Sequence, residues 1–320
     1  MSKKEKKVIE VNLPYGMPAD VPQKVHQHYG ANYYLLTRNT GRLLLFVADH
    51  KIEHLNQDFY GPDISLETLD PEHLFAIAVS SNIGGFATNF GLIARYGRRY
   101  PKINYVAKLN GKTNIVPTSE QDPLSSLLWS VDDVIAAKFD AQINICGIGI
   151  TVYLGSTFEH EMLAQAAQAI YRAHAYGLAT IVWVYPRGKA VADAKTPEMI
   201  AGAAGVGLAL GADFVKVQVP HAPDQISEDE AITIACKTAK RTGVIFSGGP
   251  KVSAEQLLPT VANQLHYGAS GCAVGRNLFQ RSLSDAIALS NALAALVYEN
   301  KTAEEALAIY QHGEQMVESQ

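Results

Sequence analysis

Short apolar runs rich in β-branched residues alternate along the chain with longer segments of helical period, and this alternation constrains the fold more than any other feature. Repeated strand-helix units of this kind are typical of a parallel sheet covered by helices. Eight strands are predicted, at residues 43–49, 86–89, 104–109, 142–153, 180–185, 214–219, 243–247 and 271–275. Eight helices are predicted to follow them, at residues 71–82, 91–99, 123–138, 157–176, 197–210, 228–241, 254–267 and 284–298.

Eight such pairs, with no break in composition between the two halves, match a closed α/β barrel better than an open doubly wound sheet. We therefore predict one (β/α)8 TIM-barrel domain, with the barrel at residues 43–298. Residues 1–42 contain Pro14, Pro18 and Pro22 and are predicted to be an irregular N-terminal extension that covers the barrel. An extra C-terminal helix is predicted at residues 303–315, within 299–320.

Charge and composition narrow the class of partner. The formal net charge is -4, with no long run of like charges in the body of the chain, so neither nucleic acid nor an anionic membrane is indicated. No stretch of about 18 apolar residues occurs in the chain. The basic residues 1–7 are not followed by the apolar region of a signal peptide, and we expect them to be a short disordered start. Cys146, Cys236 and Cys272 lie far apart and indicate a reducing compartment. We expect a cytoplasmic protein that acts on a small molecule without a cofactor.

The sixth predicted strand carries an unusual lysine. Active-site residues of such barrels lie at the C-terminal ends of the strands, and Lys216 stands there between Val215 and Val217. Burial lowers the pKa of a lysine because the charged form loses hydration, and a neutral amine is the nucleophile that attacks a ketone. Lys216 is therefore a candidate Schiff-base nucleophile. The alternative is a paired core cation or a phosphate contact.

The fifth strand places two aromatic residues on one face, because side chains alternate along a strand. Trp183 and Tyr185 share that face, and Tyr185 lies one strand away from Lys216. A phenol at this position can transfer a proton to and from the substrate, so Tyr185 is predicted to be catalytic. Trp183 either contacts the substrate or fills the barrel interior.

The first strand ends at Asp49, whose carboxylate should point into the barrel mouth, where it could hold a substrate hydroxyl or accept its proton. The residues from His50 to His54 fit the H-x-x-E-H zinc motif. That motif needs a helix to bring both histidines to one face, whereas the strand is expected to continue here into a loop. We therefore predict no metal, and a polar active-site loop in which Glu53 and His54 hold the shape.

Two glycine-containing turns follow the seventh and eighth strands, where barrels commonly bind phosphate. Backbone N–H groups of Gly248, Gly249 and Gly275 can approach an anion closely, and Arg276 can add a bidentate contact. We expect one substrate phosphate at these turns.

The third strand carries a second lysine. Lys108 is an alternative nucleophile, although we predict that it tunes the site electrostatically or holds a carboxylate. Gly111-Lys112-Thr113 is similar to the end of a phosphate-binding P-loop, but the first glycine of that motif would fall at Val106, inside a strand. Nucleotide binding is discarded for this reason.

Taken together, the strand ends resemble those of the archaeal-type class I fructose-bisphosphate aldolases, from about residue 43 to residue 298. The matching motifs, in order, are Asp49 with Glu53-His54, Lys108-Leu-Asn-Gly111, Trp183-Val-Tyr-Pro-Arg187, Asp213-Phe-Val-Lys216, Ser247-Gly-Gly249 and Gly275-Arg-Asn277. The resemblance implies a metal-independent homo-oligomeric enzyme that reversibly cleaves fructose 1,6-bisphosphate to dihydroxyacetone phosphate and glyceraldehyde 3-phosphate.

The same resemblance implies roles for individual residues. Lys216 would form the Schiff base with dihydroxyacetone phosphate, Tyr185 would transfer the proton, and Asp49 would assist at the hydroxyl being cleaved. The phosphate would be bound by Ser247, Gly248, Gly249, Gly275 and Arg276. His54, Lys108 and Trp183 complete the predicted substrate contacts.

Two segments depart from the family pattern. Lys51 stands where relatives usually have glycine, and it either binds a second phosphate or pairs with an exposed carboxylate. Val217-Gln-Val-Pro-His221 replaces the Thr/Tyr-rich run that many members have after the lysine. Both segments could face the non-ketone half of the substrate.

Three other functions are weighed against this one. The first is a related Schiff-base aldolase or transferase that acts on another phosphorylated ketose, in aromatic-precursor or signalling-sugar metabolism. The second is a metal-dependent aldolase that uses His50 and His54. The third is a barrel that binds a phosphosugar without catalysis, and the presence of both Lys216 and Tyr185 speaks against it.

Overall fold

The computed structural model describes residues 10–221 and 226–318, with the backbone alone for residues 314–318, so the disordered start predicted at residues 1–7 lies outside them. Eight parallel strands form a closed barrel in these residues, as predicted. The strands are β1 Leu43–Ala48, β2 Gly85–Asn89, β3 Tyr105–Lys108, β4 Ile145–Leu154, β5 Ala179–Pro186, β6 Phe214–Val217, β7 Gly243–Ser247 and β8 Gly271–Val274. Strands β1 and β8 pair in parallel and close the barrel.

Helices surround the barrel in the described part of the chain. They are α1 His26–Thr37, α2 His50–Glu53, α3 Glu72–Ser80, α4 Phe90–Tyr96, α5 Val131–Ala141, α6 Glu159–Ala175, α7 Pro197–Ala209, α8 Glu228–Thr238, α9 Ala254–His266, α10 Arg276–Phe279, α11 Leu283–Glu299 and α12 Ala303–Glu318. Short 3-10 helices lie at Gln23–Val25 and Leu66–Leu69, and a two-stranded ribbon joins Asn110–Gly111 to Ser126–Leu127. Helix α12 confirms the predicted C-terminal helix. No helix among the described residues combines the length and apolarity needed to cross a bilayer.

The period of two in each strand divides the apolar side chains into two cores. Along β1, Leu43, Leu45 and Val47 belong to the core inside the barrel. The alternate residues of the same strand belong to the larger core between the strands and the helices. The inward series of β1 continues to Asp49, so the alternation itself directs this carboxylate into the barrel mouth.

Three segments differ from the sequence predictions. The extension predicted to be irregular contains the 12-residue helix α1, whose buried face includes Tyr29 and Tyr33. The expected loop after Asp49 begins with one helical turn, His50–Glu53. Helix α5 starts at Val131 rather than near residue 123, because Ser130 forms a capping box with Asp133 and the preceding residues form the ribbon.

A buried polar cluster ties the N-terminal extension to the base of the barrel, the end opposite the strand C-termini. Asp213, directly before β6, accepts hydrogen bonds from Tyr29 Oη and from the backbone N–H of Thr180, the latter at 2.7 Å. His174 lies between two carboxylates, with Nδ1 2.8 Å from Asp20 Oδ2 and Nε2 3.2 Å from Asp213 Oδ2. Burial acts to lower the pKa of His174, but these carboxylates outweigh it and raise the pKa to about 9.

Candidate active site

A cavity of about 750 Å³ opens at the C-terminal ends of the strands. Most of the predicted site residues line it, namely Asp49, His54, Trp183, Tyr185, Ser247, Gly248, Gly249, Lys216, Gly275 and Arg276. The barrel thus brings together residues that are up to about 230 positions apart in the chain, as expected from the convergence of strand ends. Lys108 lies just below this lining, and Lys51 lies outside it.

The two lysines of the mouth differ in their contacts. Lys108 Nζ donates to the carbonyl oxygen of Asn110 at 2.9 Å and to its Oδ1 at 3.1 Å, and lies 3.6 Å from Asp49 Oδ2. Lys216 Nζ has no hydrogen bond or ion pair within the described part of the chain. It lies 5.5 Å from the ring centroid of Trp183 and 5.7 Å from that of Tyr185. Lys108 is therefore a tethered cation, whereas the amine of Lys216 is free to react.

Electrostatics also favour a neutral amine on Lys216. Burial lowers the pKa of Lys216 to about 8, and the nearby cations Lys108 and Arg276 act in the same direction. The negative charge of Asp49 opposes this effect but does not cancel it. For Asp49, burial acts to raise the pKa, but Lys108, His50 and Lys216 lower it. An ionised carboxylate thus lies in the same site as an amine that loses its proton near neutrality.

Trp183 and Tyr185 lie on the inward face of β5, close to Lys216. In the sheet register Trp183 is opposite Lys216, and the centroid of its ring lies 5.5 Å from Nζ of both Lys108 and Lys216. A Cβ atom on Gly149 would lie 2.5 Å from this ring, so the glycine leaves the space that the indole occupies. Burial raises the pKa of Tyr185 well above its usual value, and Asp49 and Glu53 add to the effect. Tyr185 is therefore a protonated phenol, able to donate.

The two glycine-containing turns meet at one side of the cavity. Gly249 has a φ of 68° with open space around it, and its N–H donates to no acceptor in the described part of the chain. Arg276 is partly exposed, and its Nε is buried without a hydrogen-bond partner among the residues that the structure describes. A backbone N–H without an acceptor and a guanidinium group with a free Nε donor can both bind an anion at this point.

Gly248 does not offer the backbone donor that was predicted. Its N–H already donates to the carbonyl oxygen of Ala273 at 2.9 Å, which links the two turns. The side chain of Asn277 braces the same turn, because Nδ2 donates to the carbonyl oxygens of Gly248 and Pro250 and Oδ1 accepts from the N–H of Val252. Asn277 was part of the motif noted in the sequence, but no local pattern there indicates this role.

In the loop after β1, Lys51 does not lie where a phosphate contact was predicted. Lys51 Nζ lies 3.7 Å from the ring centroid of Phe59, so it packs on an aromatic face and does not reach the cavity. His54 lines the cavity, but its Nδ1 is 2.6 Å from Asp58 Oδ2. No group of three or more His, Cys, Asp or Glu side chains is arranged to hold a metal ion in the described residues.

Several polar residues of the cavity were not predicted as substrate contacts. Tyr153 Oη donates to Glu53 Oε1 at 2.7 Å, and the Arg187 guanidinium lies 5.6 Å from the ring centroid of Tyr153. Lys195 lines the same side. Arg187 follows β5 and Arg276 follows β8, three strands further around the barrel. The cavity therefore has a cationic group at each of two separated edges, and the position of Arg187 directly after a strand end is the signal that could have found it.

Comparisons with known proteins agree with this geometry. Residues 43–281 match the family model described as DeoC/LacD family aldolase. A protein of Methanocaldococcus jannaschii named fructose-bisphosphate aldolase/6-deoxy-5-ketofructose 1-phosphate synthase is 46% identical over 295 residues, which cover 92% of this chain and 94% of that protein. A fructose-bisphosphate aldolase structure from Slackia heliotrinireducens superposes with a TM-score of 0.91 and 45% identity, covering 93% of this chain and 94% of that one.

A more distant structure carries chemical information. It is an archaeal fructose-1,6-bisphosphate aldolase in which the catalytic lysine is covalently bound to the carbinolamine intermediate of the substrate. It has a TM-score of 0.71 and 32% identity, and the match covers 84% of this chain and 98% of that one. Since the family model spans all eight strands and well over half of the chain, and the relatives align over most of their length, the chain belongs to the DeoC/LacD family of aldolases.

Proposed function

We propose that the protein is a class I aldolase that reversibly cleaves fructose 1,6-bisphosphate to dihydroxyacetone phosphate and glyceraldehyde 3-phosphate through a Schiff base on Lys216. The observation that carries this proposal is the contrast between the lysines: the Lys216 amine has a pKa of about 8 and no hydrogen-bond or ion-pair partner in the described residues, whereas Lys108 is held by Asn110 and Asp49. A related structure with its catalytic lysine bound to the substrate supports the same chemistry.

The steps follow from the side chains at the mouth. The neutral amine of Lys216 attacks the C2 carbonyl of the ketose, and loss of water from the carbinolamine leaves a protonated imine. Asp49 accepts the proton of the C4 hydroxyl while the C3–C4 bond breaks, and the electron pair of that bond moves to the imine, which becomes an enamine. The aldehyde leaves and Tyr185 protonates C3. The proton that Asp49 accepted returns through the solvent to the Tyr185 phenolate, and water hydrolyses the imine, which releases dihydroxyacetone phosphate and restores the amine.

A bisphosphate fits the two cationic edges of the cavity. The phosphate on the ketone half would bind Gly249, Ser247 and Arg276. Gly275 has no side chain, so its backbone would also come close to this phosphate. The second phosphate would bind Arg187 and Lys195 at the other edge, which line the cavity where Lys51 does not. Lys108 would hold Asp49 in its ionised form, and the ring of Trp183 would form a wall of the space around the imine.

Borohydride trapping tests the proposal. The protein is incubated with dihydroxyacetone phosphate and a chelator, reduced with NaBH4, and digested for peptide mass spectrometry. We expect the added mass on Lys216, and we expect it to remain there in Lys108→Met and to vanish in Lys216→Met. An adduct on Lys108 would overturn the assignment, and the absence of any adduct would reject the Schiff-base mechanism with this ketose.

A second activity is proposed on the evidence of one relative's name. The Methanocaldococcus jannaschii protein is also named a 6-deoxy-5-ketofructose 1-phosphate synthase, so its site handles a second phosphorylated ketose. We propose the same breadth here, because the ketone half would use the same lysine and phosphate turn. A panel of phosphorylated ketoses and aldehydes, assayed with purified protein, separates the two activities.

We further propose a cytoplasmic homo-oligomer that acts in glycolysis or gluconeogenesis. The cytoplasmic location is supported by the cysteines, because Cys146, Cys236 and Cys272 form no disulfide bond. Large apolar side chains such as Phe139 and Tyr171 are well exposed and would be covered in an oligomer. Sedimentation of the purified chain at micromolar concentration decides the oligomeric state.

A further inference from the structure

A buried carboxylate lies beside the arginine of the phosphate site. Asp58 is 7% exposed, and its Oδ1 lies 3.7 Å from Nη1 of Arg276. Its other oxygen, Oδ2, is 2.6 Å from Nδ1 of His54, which donates to it. A negative charge next to Arg276 competes with an incoming anion for the same guanidinium group. The protonation of His54 decides how much of that charge Arg276 experiences.

Hydrogen bonding and packing hold the backbone of the segment that carries Asp58. The side chain of Gln280 donates to the carbonyl oxygen of Asp58 at 2.9 Å. The adjacent ring of Phe59 stacks on Phe279, with centroids 5.0 Å apart. Arg276 itself keeps a buried Nε without a partner among the described residues. The backbone at Asp58 is therefore held in place and its carboxylate is anchored by His54, while the guanidinium group retains a free donor for an anion.

Charged groups from two elements surround this pair. Glu53 and His50 face it from the loop after β1, and Arg276 faces it from α10. The hydrogen bond with Asp58 raises the pKa of His54 against the opposing effect of burial, so His54 loses its proton above the ordinary value of about 6.5. For Asp58, burial acts to raise the pKa, but the hydrogen bond with His54 and the nearby positive charges lower it. Asp58 thus keeps its charge while His54 titrates.

We propose that Asp58 and His54 are positioning residues that set the anion affinity of Arg276: protonated His54 neutralises Asp58 and leaves Arg276 to the phosphate, and neutral His54 leaves Asp58 to compete for it. The proposal rests on the phosphate site of the proposed function and adds a control that neither the family nor the relatives' names assign. It gives His54 a role through Arg276 rather than as a direct substrate contact.

Direct sulfate binding tests the proposal, because sulfate stays a dianion across the range used and its binding does not require turnover. All proteins carry Lys216→Met, so that Lys216 does not titrate, and affinity is measured by calorimetry from pH 5.5 to 9. In this parent we expect the affinity to fall about tenfold as His54 loses its proton, the effect of one charge at this distance. His54→Gln should bind weakly at every pH, and Asp58→Asn should bind tightly at every pH.

The double variant and a remote control sharpen the result. His54→Gln/Asp58→Asn should match Asp58→Asn, because His54 acts only through Asp58. His266→Gln, on an exposed histidine of α9, should keep the profile of the parent. The proposal would be overturned if the sulfate affinity of the parent did not change with pH, or if both single variants kept the pH profile of the parent. It would also be overturned if both single variants bound sulfate equally weakly. Failure of the aldolase function is distinct, since it shows as a missing borohydride adduct while sulfate binding is still measured.

Discussion

The two ends of the barrel each bury charged side chains, but they treat them in opposite ways. At the base, both oxygens of Asp213 accept hydrogen bonds, and His174 has a carboxylate at each ring nitrogen. At the mouth, Trp183 Nε1, His50 Nδ1 and Arg276 Nε are buried without a hydrogen-bond partner among the described residues, whereas near the base the same holds for the uncharged Tyr33 Oη. The base therefore holds the fold together, and the mouth keeps its donors for a ligand.

This difference separates stability from activity in energetic terms. Removing one partner of a fully paired buried charge strongly destabilises the folded protein, because the remaining charge is left buried and uncompensated. The burial of an unpaired amine such as that of Lys216 already lowers the free energy of unfolding, because the amine loses its hydration. Removing this amine should therefore cost little stability. Substitutions at the two ends should consequently change different measurements.

The largest expected effect is at the mouth. Lys216→Met should lower kcat/KM by at least about 10⁴-fold, because the nucleophile is lost. The free energy of unfolding should stay within about 1 kcal/mol of wild type or increase. Steady-state cleavage assays and urea unfolding measure the two quantities. Substantial residual cleavage would show that another group carries the chemistry.

The next effect is at the base. Asp213→Asn should lower the free energy of unfolding by about 3–5 kcal/mol, because His174 and Tyr29 lose a buried charged partner. The kcat/KM per folded molecule should change far less than in Lys216→Met. The matched control is Asp132→Asn, which breaks an exposed pair with Arg172 and should cost less than about 1 kcal/mol. Equal losses in the two urea titrations would contradict the comparison.

A smaller effect should appear on raising the pH. The pKa of His174 is raised to about 9, so its stabilisation is complete below about pH 6.5 and is lost as the pH rises through 9. We expect the free energy of unfolding to fall by about 2–3 kcal/mol over this interval. Lys216 contributes with the opposite sign because its pKa is lowered, so the series is measured in Lys216→Met with and without His174→Gln. A pH dependence that survives His174→Gln would assign the effect to another group.

Much of the fold and the convergence of the site could be predicted from the sequence. Eight apolar runs of the right spacing have few ways to bury both faces, so the closed barrel follows from the pattern. The same period of two directs Asp49 inward after Leu45 and Val47, and the strand-end rule brings it near Lys216 and Tyr185. These predictions depend on backbone periodicity, which local sequence carries.

The errors concern features that local sequence does not carry. Lys51 was a candidate phosphate contact, but its side chain packs on the ring of Phe59, which the fold of the loop brings next to it. The N–H of Gly248 was predicted to be free, but Ala273 from the neighbouring strand accepts it. The helix α1 lacks a clear apolar period and is stabilised by tertiary packing of its buried face, and the helix after Asp49 is a single turn, too short for any period to predict. Long-range contacts decide each of these cases.

The hydrogen bond from Tyr29 to Asp213 also has a consequence for synthesis of the chain. The two residues are 184 positions apart, so at about 5–20 residues per second the ribosome needs about 10 to 40 s to produce the partner of Tyr29. During that interval the apolar face of α1 has no barrel base to cover it. The nascent protein therefore exposes the apolar side chains of this segment until most of the barrel has emerged, which is the period in which a chaperone would protect it.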